Sequence, residues 1–205
     1  MSSNTGAGKR LILASTSPYR RELLGRLGLA FDTAKPDIDE TPRRDETPAE
    51  LAARLARAKA LAIPANGVVI GSDQVAALDD QPLGKPGSHA KALEQLQAFQ
   101  GREVLFHTAV CVVENGGNAQ EHIDLTRVKF ARLPRAALDR YLTLEPAYDC
   151  AGGFKAEGLG VALFEAIESS DPTALIGLPL IWLTAALRNA GLDPLAATGG
   201  SPSTA

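Results

Sequence analysis

The sequence predicts a mixed α/β or α+β fold, and three observations carry that reading. Short apolar runs of strand character alternate with amphipathic stretches of helical period. Hydrophobic residues make up 45% of the 205 and charged residues 22%, enough to bury a real core. No internal repeat and no long linker interrupts the alternation, so one unit over residues 10–195 is expected, with small-residue tails at 1–9 and 196–205.

Arg10 to Ala14 (R-L-I-L-A) reads as a short buried strand. Ser17 is a good helix N-cap and Pro18 suits the first helical turn. Leu23, Leu24 and Leu27 form the inner stripe and Gly28 is the stop. Thr47-Pro48-Ala49-Glu50 has capping-box form and opens a second helix with a stripe at Leu51, Leu55 and Ala62. Gly67 to Ile70 reads as a second buried strand, followed by G-S-D-Q-V. Ser88 caps a helix running through Phe99. Val104 to Val113 and Ile123 to Phe130 read as strands around an Asn115-Gly116-Gly117-Asn118 turn. Pro134 opens a helix to about Thr143, and Val161 to Glu168 has strand character. Asp171-Pro172 introduces the last helical region, best over Leu180 to Ala190, with Gly191 as its stop.

Bulk properties exclude several classes. A net charge of -3 and 5% aromatic residues offer no field or stacking platform for nucleic acid, so no nucleic-acid partner is expected. No apolar run approaches the roughly 20 residues that span a bilayer, so no membrane partner is expected. The polar N-terminus lacks a signal-peptide core, and a cytoplasmic location follows by elimination. Cys111 sits inside an apolar run and reads as a buried reduced thiol. Cys150 has no partner motif, and two cysteines are too few for a zinc site.

Four cations and a few carboxylates stand at element ends. Arg20 and Arg21 occupy the first turn of a helix, where the dipole is positive and N–H groups lack partners. An anion sharing that mouth would justify them, and so would simple exposure to solvent or a local carboxylate. Lys59 falls on the row of Leu51 and Leu55, which points it inward, so it needs an anionic partner, either a structural carboxylate or a substrate phosphate. Asp73 is expected just beyond the strand ending V-V-I-G-S, where ligands gather in α/β sheets. It could hold a metal, orient water or merely cap a turn. Lys85 stands in a rigid G-K-P loop. Asp37, Asp39 and Glu40 form an acidic cluster, more often a solvated loop than a metal site. His89, His107 and His122 lack metal-ligand spacing, and no Walker A, G-x-G-x-x-G or G-x-S-x-G sequence is present. The residues point to phosphoryl chemistry on a polyanion without naming it.

Six short motifs sharpen the reading. S-T-S-P-Y-R-R-E-L-L (15–24), D-E-T-P (39–42), R-L-A-R-A-K-A (54–60), G-S-D-Q-V (71–75), G-K-P (84–86) and G-L-P-L (177–180) stand in the order seen in the Maf family of nucleotide pyrophosphatases. The chain resembles that family over about residues 10 to 195. The resemblance implies an elongated mixed central sheet flanked by helices, with two lobes around a cleft, and homodimers are common in the family. It implies Asp73 as the general base and Glu40 with Asp73 as the site of a divalent metal, Mg²⁺ or Mn²⁺. Ser17, Arg20, Arg21, Lys59 and Lys85 would form the clamp on a nucleoside triphosphate.

Tyr19, Gln74, Glu157 and the G-G-F-K-A-E-G run (152–158) are closer to the YceF-like subfamily, which acts on 7-methyl-GTP. The branch acting on dTTP and UTP usually carries arginine, threonine and glutamine at those three positions. YceF-type members commonly place tryptophan where Tyr19 stands, so an aromatic ring is kept. The alternatives are a dTTP, UTP or CTP pyrophosphatase of the same family, or a regulatory nucleotide-binding protein affecting septum formation.

Overall fold

The computed structural model describes residues 9–196. The tails expected at 1–9 and 196–205 lie, apart from Lys9 and Ala196, outside the described residues. The chain begins with β1 (Leu11–Leu13), α1 (Pro18–Gly25), β2 (Asp32–Thr33), α2 (Pro48–Leu61) and β3 (Val68–Leu78). It continues through β4 (Gln81–Leu83), α3 (His89–Phe99), β5 (Glu103–Glu114), β6 (Ala119–Phe130) and α4 (Arg135–Leu144). Two 3₁₀ turns, a strand β7 (Phe164–Glu168), a third 3₁₀ turn (Ala174–Ile176) and α5 (Leu180–Asn189) complete it.

All seven strands form one mixed sheet in the order β2-β1-β3-β5-β6-β7, with β4 on the edge of β3. β1 pairs in parallel with β2 and β3, whereas the β3-β5, β5-β6 and β6-β7 pairs are antiparallel. The α/β class with a mixed sheet is therefore observed. Its parallel part is covered on both faces, which is why β1 and the start of β3 read as continuous apolar runs. Leu11, Leu13, Val68 and Ile70 face a cluster with α1 and α5, while Ile12 and Val69 face α2. The second lobe wraps the far ends of β3, β5 and β6 with α3 and α4. Phe99, Phe106 and Phe130 are fully buried there, each worth about 2–3 kcal/mol of apolar burial.

Local chemistry explains the element ends. The Ser17 hydroxyl accepts from the Arg20 N–H with Pro18 at the helix start, and Thr47 and Glu50 close a reciprocal capping box. Four expectations need correction. α1 ends at Gly25, three residues early, and Gly28 (φ 67°) closes the following turn instead. Residues 159–163 are a 3₁₀ turn, so the strand expected from Val161 begins only at Phe164. Ala62 caps α2 and is only half-buried, outside the inner stripe. Asp73 does not follow a strand: β3 runs eleven residues and Asp73 is its sixth. The strand continues because β5 pairs with it from Val68 to Ala77, and that long-range pairing has no local signal. β2 and β4, two and three residues long, were too short to show periodicity.

Candidate functional site

One edge of β3 carries β1 opposite residues 68–70 and β4 opposite residues 76–78. Between them, Gly71 to Val75 have no strand neighbour on that side. Asp73 thus lies past the carboxyl end of the parallel strand β1, the position where α/β sheets gather ligands, although it is itself inside β3. The notch is walled by the Ala14–Ser17 turn, the segment after β2, and the segments 149–157 and 174–177.

Strand alternation sends neighbouring residues of the notch to opposite faces. Gly71 and Asp73 point to α2. A Cβ at Gly71 would lie 2.2 Å from the Ala56 carbonyl oxygen and 2.5 Å from the Ala60 nitrogen, so only glycine allows α2 this close. The close approach delivers Lys59. Its Nζ donates to Asp73 Oδ1 at 2.6 Å and lies 2.8 Å from Glu40 Oε1. Lys59 and Asp73 are both buried, while Glu40 is largely exposed. Lys59 is thus a buried ammonium paired with two carboxylates.

On the other face, Ser72 Oγ donates to the Gly177 carbonyl at 3.0 Å. Gln74 Nε2 donates to Thr108 Oγ1 and to the carbonyls of Ala174 and Leu175, at 2.9 to 3.1 Å. Arg20 reaches the same turn, with Nε donating to the Gly177 carbonyl at 2.9 Å. Desolvation lowers the Arg20 pKa, opposed by the charges of Asp73 and Glu40. Asp171 fixes the turn by accepting from the Thr173 N–H and hydroxyl and from the Ile181 N–H.

The notch opens into a cleft with two arms. A narrow arm of about 130 Å³ is lined by Tyr19, Gln74, Phe106, Phe154 and Glu157. A wide arm of about 480 Å³ is lined by four cationic side chains, Arg20, Lys35, Lys59 and Lys85, and by three carboxylates, Glu40, Asp73 and Asp149. Ser17, Tyr19, Arg20, Gln74, Lys85 and Asp149 border both. Tyr19 is half-buried. Desolvation raises its pKa, helped by the contact with Cys150 Sγ at 3.7 Å and by the charges of Cys150, Asp149 and Glu157. The Lys155 ammonium sits 5.8 Å from the Tyr19 ring centroid. Burial also raises the Cys150 thiol, which is the opposite of what activates a nucleophile. Cys111 is buried and free, as expected, and burial pushes its thiol up to about 12.

The structure thus brings together Ser17, Tyr19, Arg20, Glu40, Lys59, Asp73, Gln74, Lys85 and Glu157. Arg21 is exposed and borders neither arm. Sequence reasoning missed Lys35 and Asp149. Lys35 follows a two-residue strand and precedes Pro36, so the only available signal was a lysine on a rigid loop of the G-K-P kind. Asp39, from the acidic cluster, turns back to its own loop, where Thr41 holds its pKa down.

Among the described residues no cluster of three or more His, Cys, Asp or Glu could hold a metal ion. Glu40 and Asp73 nevertheless fit a Mg²⁺ or Mn²⁺ ion. They are two hard oxygen donors brought close together, each within 2.8 Å of Lys59 Nζ, and such ions are commonly held by one or two carboxylates plus substrate phosphates. Among the described residues no helix is long and apolar enough to cross a membrane.

The chain is 57% identical over 195 residues to a 7-methyl-GTP pyrophosphatase of Cupriavidus metallidurans, covering 93% of this chain and 97% of that protein. It is 57% identical over 186 residues to a 7-methyl-GTP pyrophosphatase of Xanthomonas oryzae pv. oryzae, covering 89% and 97%. The solved structure of the Staphylococcus aureus Ham1 protein superposes with a TM-score of 0.52 at 16% identity, over 88% of this chain and 99% of that one, a likeness of fold. The family profile described as Maf-like protein matches residues 10–190, and on that match and those identities this chain belongs to the Maf family.

Proposed function

We propose that the protein hydrolyses the α-β phosphoanhydride of a nucleoside triphosphate, with 7-methyl-GTP as preferred substrate, releasing the monophosphate and pyrophosphate. The observation that carries this reading is the two-armed cleft. An aromatic and acidic arm suited to a base joins a cation-lined arm suited to a triphosphate, and Asp73 borders the latter. The relatives at 57% identity bear the name of that activity.

In this mechanism the base enters the narrow arm beside Tyr19. Methylation makes guanine cationic, which favours an electron-rich ring, and Glu157 accepts hydrogen bonds from the guanine N1–H and amino group. The Gln74 amide N–H groups are committed to Thr108 and the 174–175 carbonyls, so Gln74 offers its oxygen and shapes the floor. Arg20 and Lys85, at the junction of the arms, hold phosphate oxygens with the Ser17 hydroxyl at the mouth of α1. Asp73 accepts a proton from water as the water oxygen bonds to the α-phosphorus and the bond to the bridging oxygen breaks. Lys59 orients Asp73 and balances the buried carboxylate. A divalent cation held by Glu40 and Asp73 would neutralise the phosphate oxygens and the departing pyrophosphate. Arg21 would act only on a substrate group reaching out of the cleft. A cytoplasmic enzyme removing modified nucleotides, assembled as a homodimer, completes the reading.

The test is pyrophosphate release with Mg²⁺ or Mn²⁺ across 7-methyl-GTP, GTP, dTTP, UTP and CTP. Preference for 7-methyl-GTP supports both chemistry and specificity. Preference for dTTP or UTP keeps the chemistry and overturns the base reading. Binding without release from any nucleotide overturns the enzyme.

A further inference from the structure

Lys35 is an exposed lysine in the segment after β2, and it borders only the wide arm of the cleft. Its position is set by the parallel pairing of β1 and β2. Thr33 lies beside Leu13, and the Ala34 N–H donates to the Leu13 carbonyl at 3.0 Å. The two chains then leave the sheet side by side. Lys35 runs alongside the Ala14–Ser17 turn that opens α1, and Pro36 stiffens the backbone that follows.

Two of the other three cations of the wide arm are partly spent. Lys59 is shared between Asp73 and Glu40, and Arg20 donates to Gly177. Among the described residues Lys35 and Lys85 make no ion pair within 4.0 Å. They differ in place: Lys85 borders both arms, whereas Lys35 borders only the wide arm, which Phe106, Phe154 and Glu157 do not line. A substrate with its base in the narrow arm sends its α-phosphate to the junction and its outer phosphates towards Lys35.

We infer that Lys35 is a further phosphate-binding residue and that it holds the pyrophosphate end of the substrate. The inference rests on the proposed reading for its orientation, but its test does not require turnover. Inorganic pyrophosphate with Mg²⁺ and the nucleoside monophosphate product are titrated separately into the wild-type chain and into Lys35→Ala and Lys35→Arg by calorimetry. Expected is about tenfold weaker pyrophosphate binding for Lys35→Ala, substantial recovery in Lys35→Arg, and unchanged monophosphate binding. Lys35 is exposed and outside all three hydrophobic clusters, so equal melting temperatures should accompany these results. Unchanged pyrophosphate binding in Lys35→Ala overturns the inference. So does equal loss for pyrophosphate and monophosphate, or no binding of pyrophosphate to the wild type. A wild type that binds pyrophosphate through Lys35 yet hydrolyses no nucleotide would sink the proposed activity and leave the residue's role standing.

Discussion

Lys59 Nζ, on the buried face of α2, lies 2.6 Å from Asp73 Oδ1 in the middle of β3. The pair joins the helix packed on the sheet to the one stretch of β3 whose edge is open. It is also where structural need and proposed chemistry meet, because removing the ammonium strands Asp73 in a buried site, whereas removing Asp73 leaves Lys59 with Glu40 alone.

Replacing Asp73 by Asn should lower kcat by about 10² to 10⁴-fold, the range for loss of a general base, with nucleotide binding largely kept. Steady-state pyrophosphate release beside equilibrium binding separates the two. Near-normal turnover would remove Asp73 as the base. Lys59→Met should cost stability as well as activity, by roughly 3 kcal/mol, since it leaves Asp73 buried without its ammonium. Combining it with Asp73→Asn should recover part of that loss in urea unfolding.

Gly71→Ala tests how α2 delivers Lys59. The new methyl would meet backbone atoms of α2 at 2.2 and 2.5 Å, which no side-chain rotation relieves. A destabilisation of about 3 kcal/mol is expected, lowering Tm by roughly 10 °C. A Tm within one or two degrees of wild type would contradict the packing described.

Glu157→Gln should reduce the preference for 7-methyl-GTP over GTP by about tenfold in kcat/KM, with little change in Tm, because the side chain is exposed. An unchanged ratio would take Glu157 out of base recognition. Lys155→Met should move the ratio the other way. A lysine cation over the Tyr19 ring opposes a second cation on that ring, whichever face the base takes.

Stability at acid pH should report the loop that carries Glu40. Arg54 binds the Glu46 carboxylate through Nε and a terminal nitrogen and also donates to the Thr41 carbonyl. The Arg54 side-chain bonds, then the Arg43 N–H, lower the Glu46 pKa from 4.5 to about 2. A depressed folded-state value stabilises the fold above the unfolded value and loses that contribution as pH falls through the folded one. The stability gap between wild type and Glu46→Gln should therefore be constant above about pH 5 and close between pH 5 and 2. A gap independent of pH over that window would exclude the pairing.

Much of this was legible in the order of residues. The caps at Ser17 and Thr47, the stripe Leu51-Leu55-Lys59 and the apolar runs of β1 and early β3 are local patterns, and local patterns set helix starts, faces and alternation. The inward direction of Lys59 followed from period alone, Arg20, Asp73 and Lys85 from their places at element ends and in a loop, and Tyr19, Gln74 and Glu157 from the family resemblance. What residue order could not hold was the partner of each group. That Lys59 meets Asp73, that β3 continues past Ile70, that Gln74 spends its amide on the 174–175 carbonyls and that Lys35 reaches the cleft all depend on contacts between distant segments. The register of β3 on β5, the approach of α2 over Gly71 and the pairing of β2 with β1 fix those contacts, and each is a packing outcome of the whole sheet and not a property of any window of sequence.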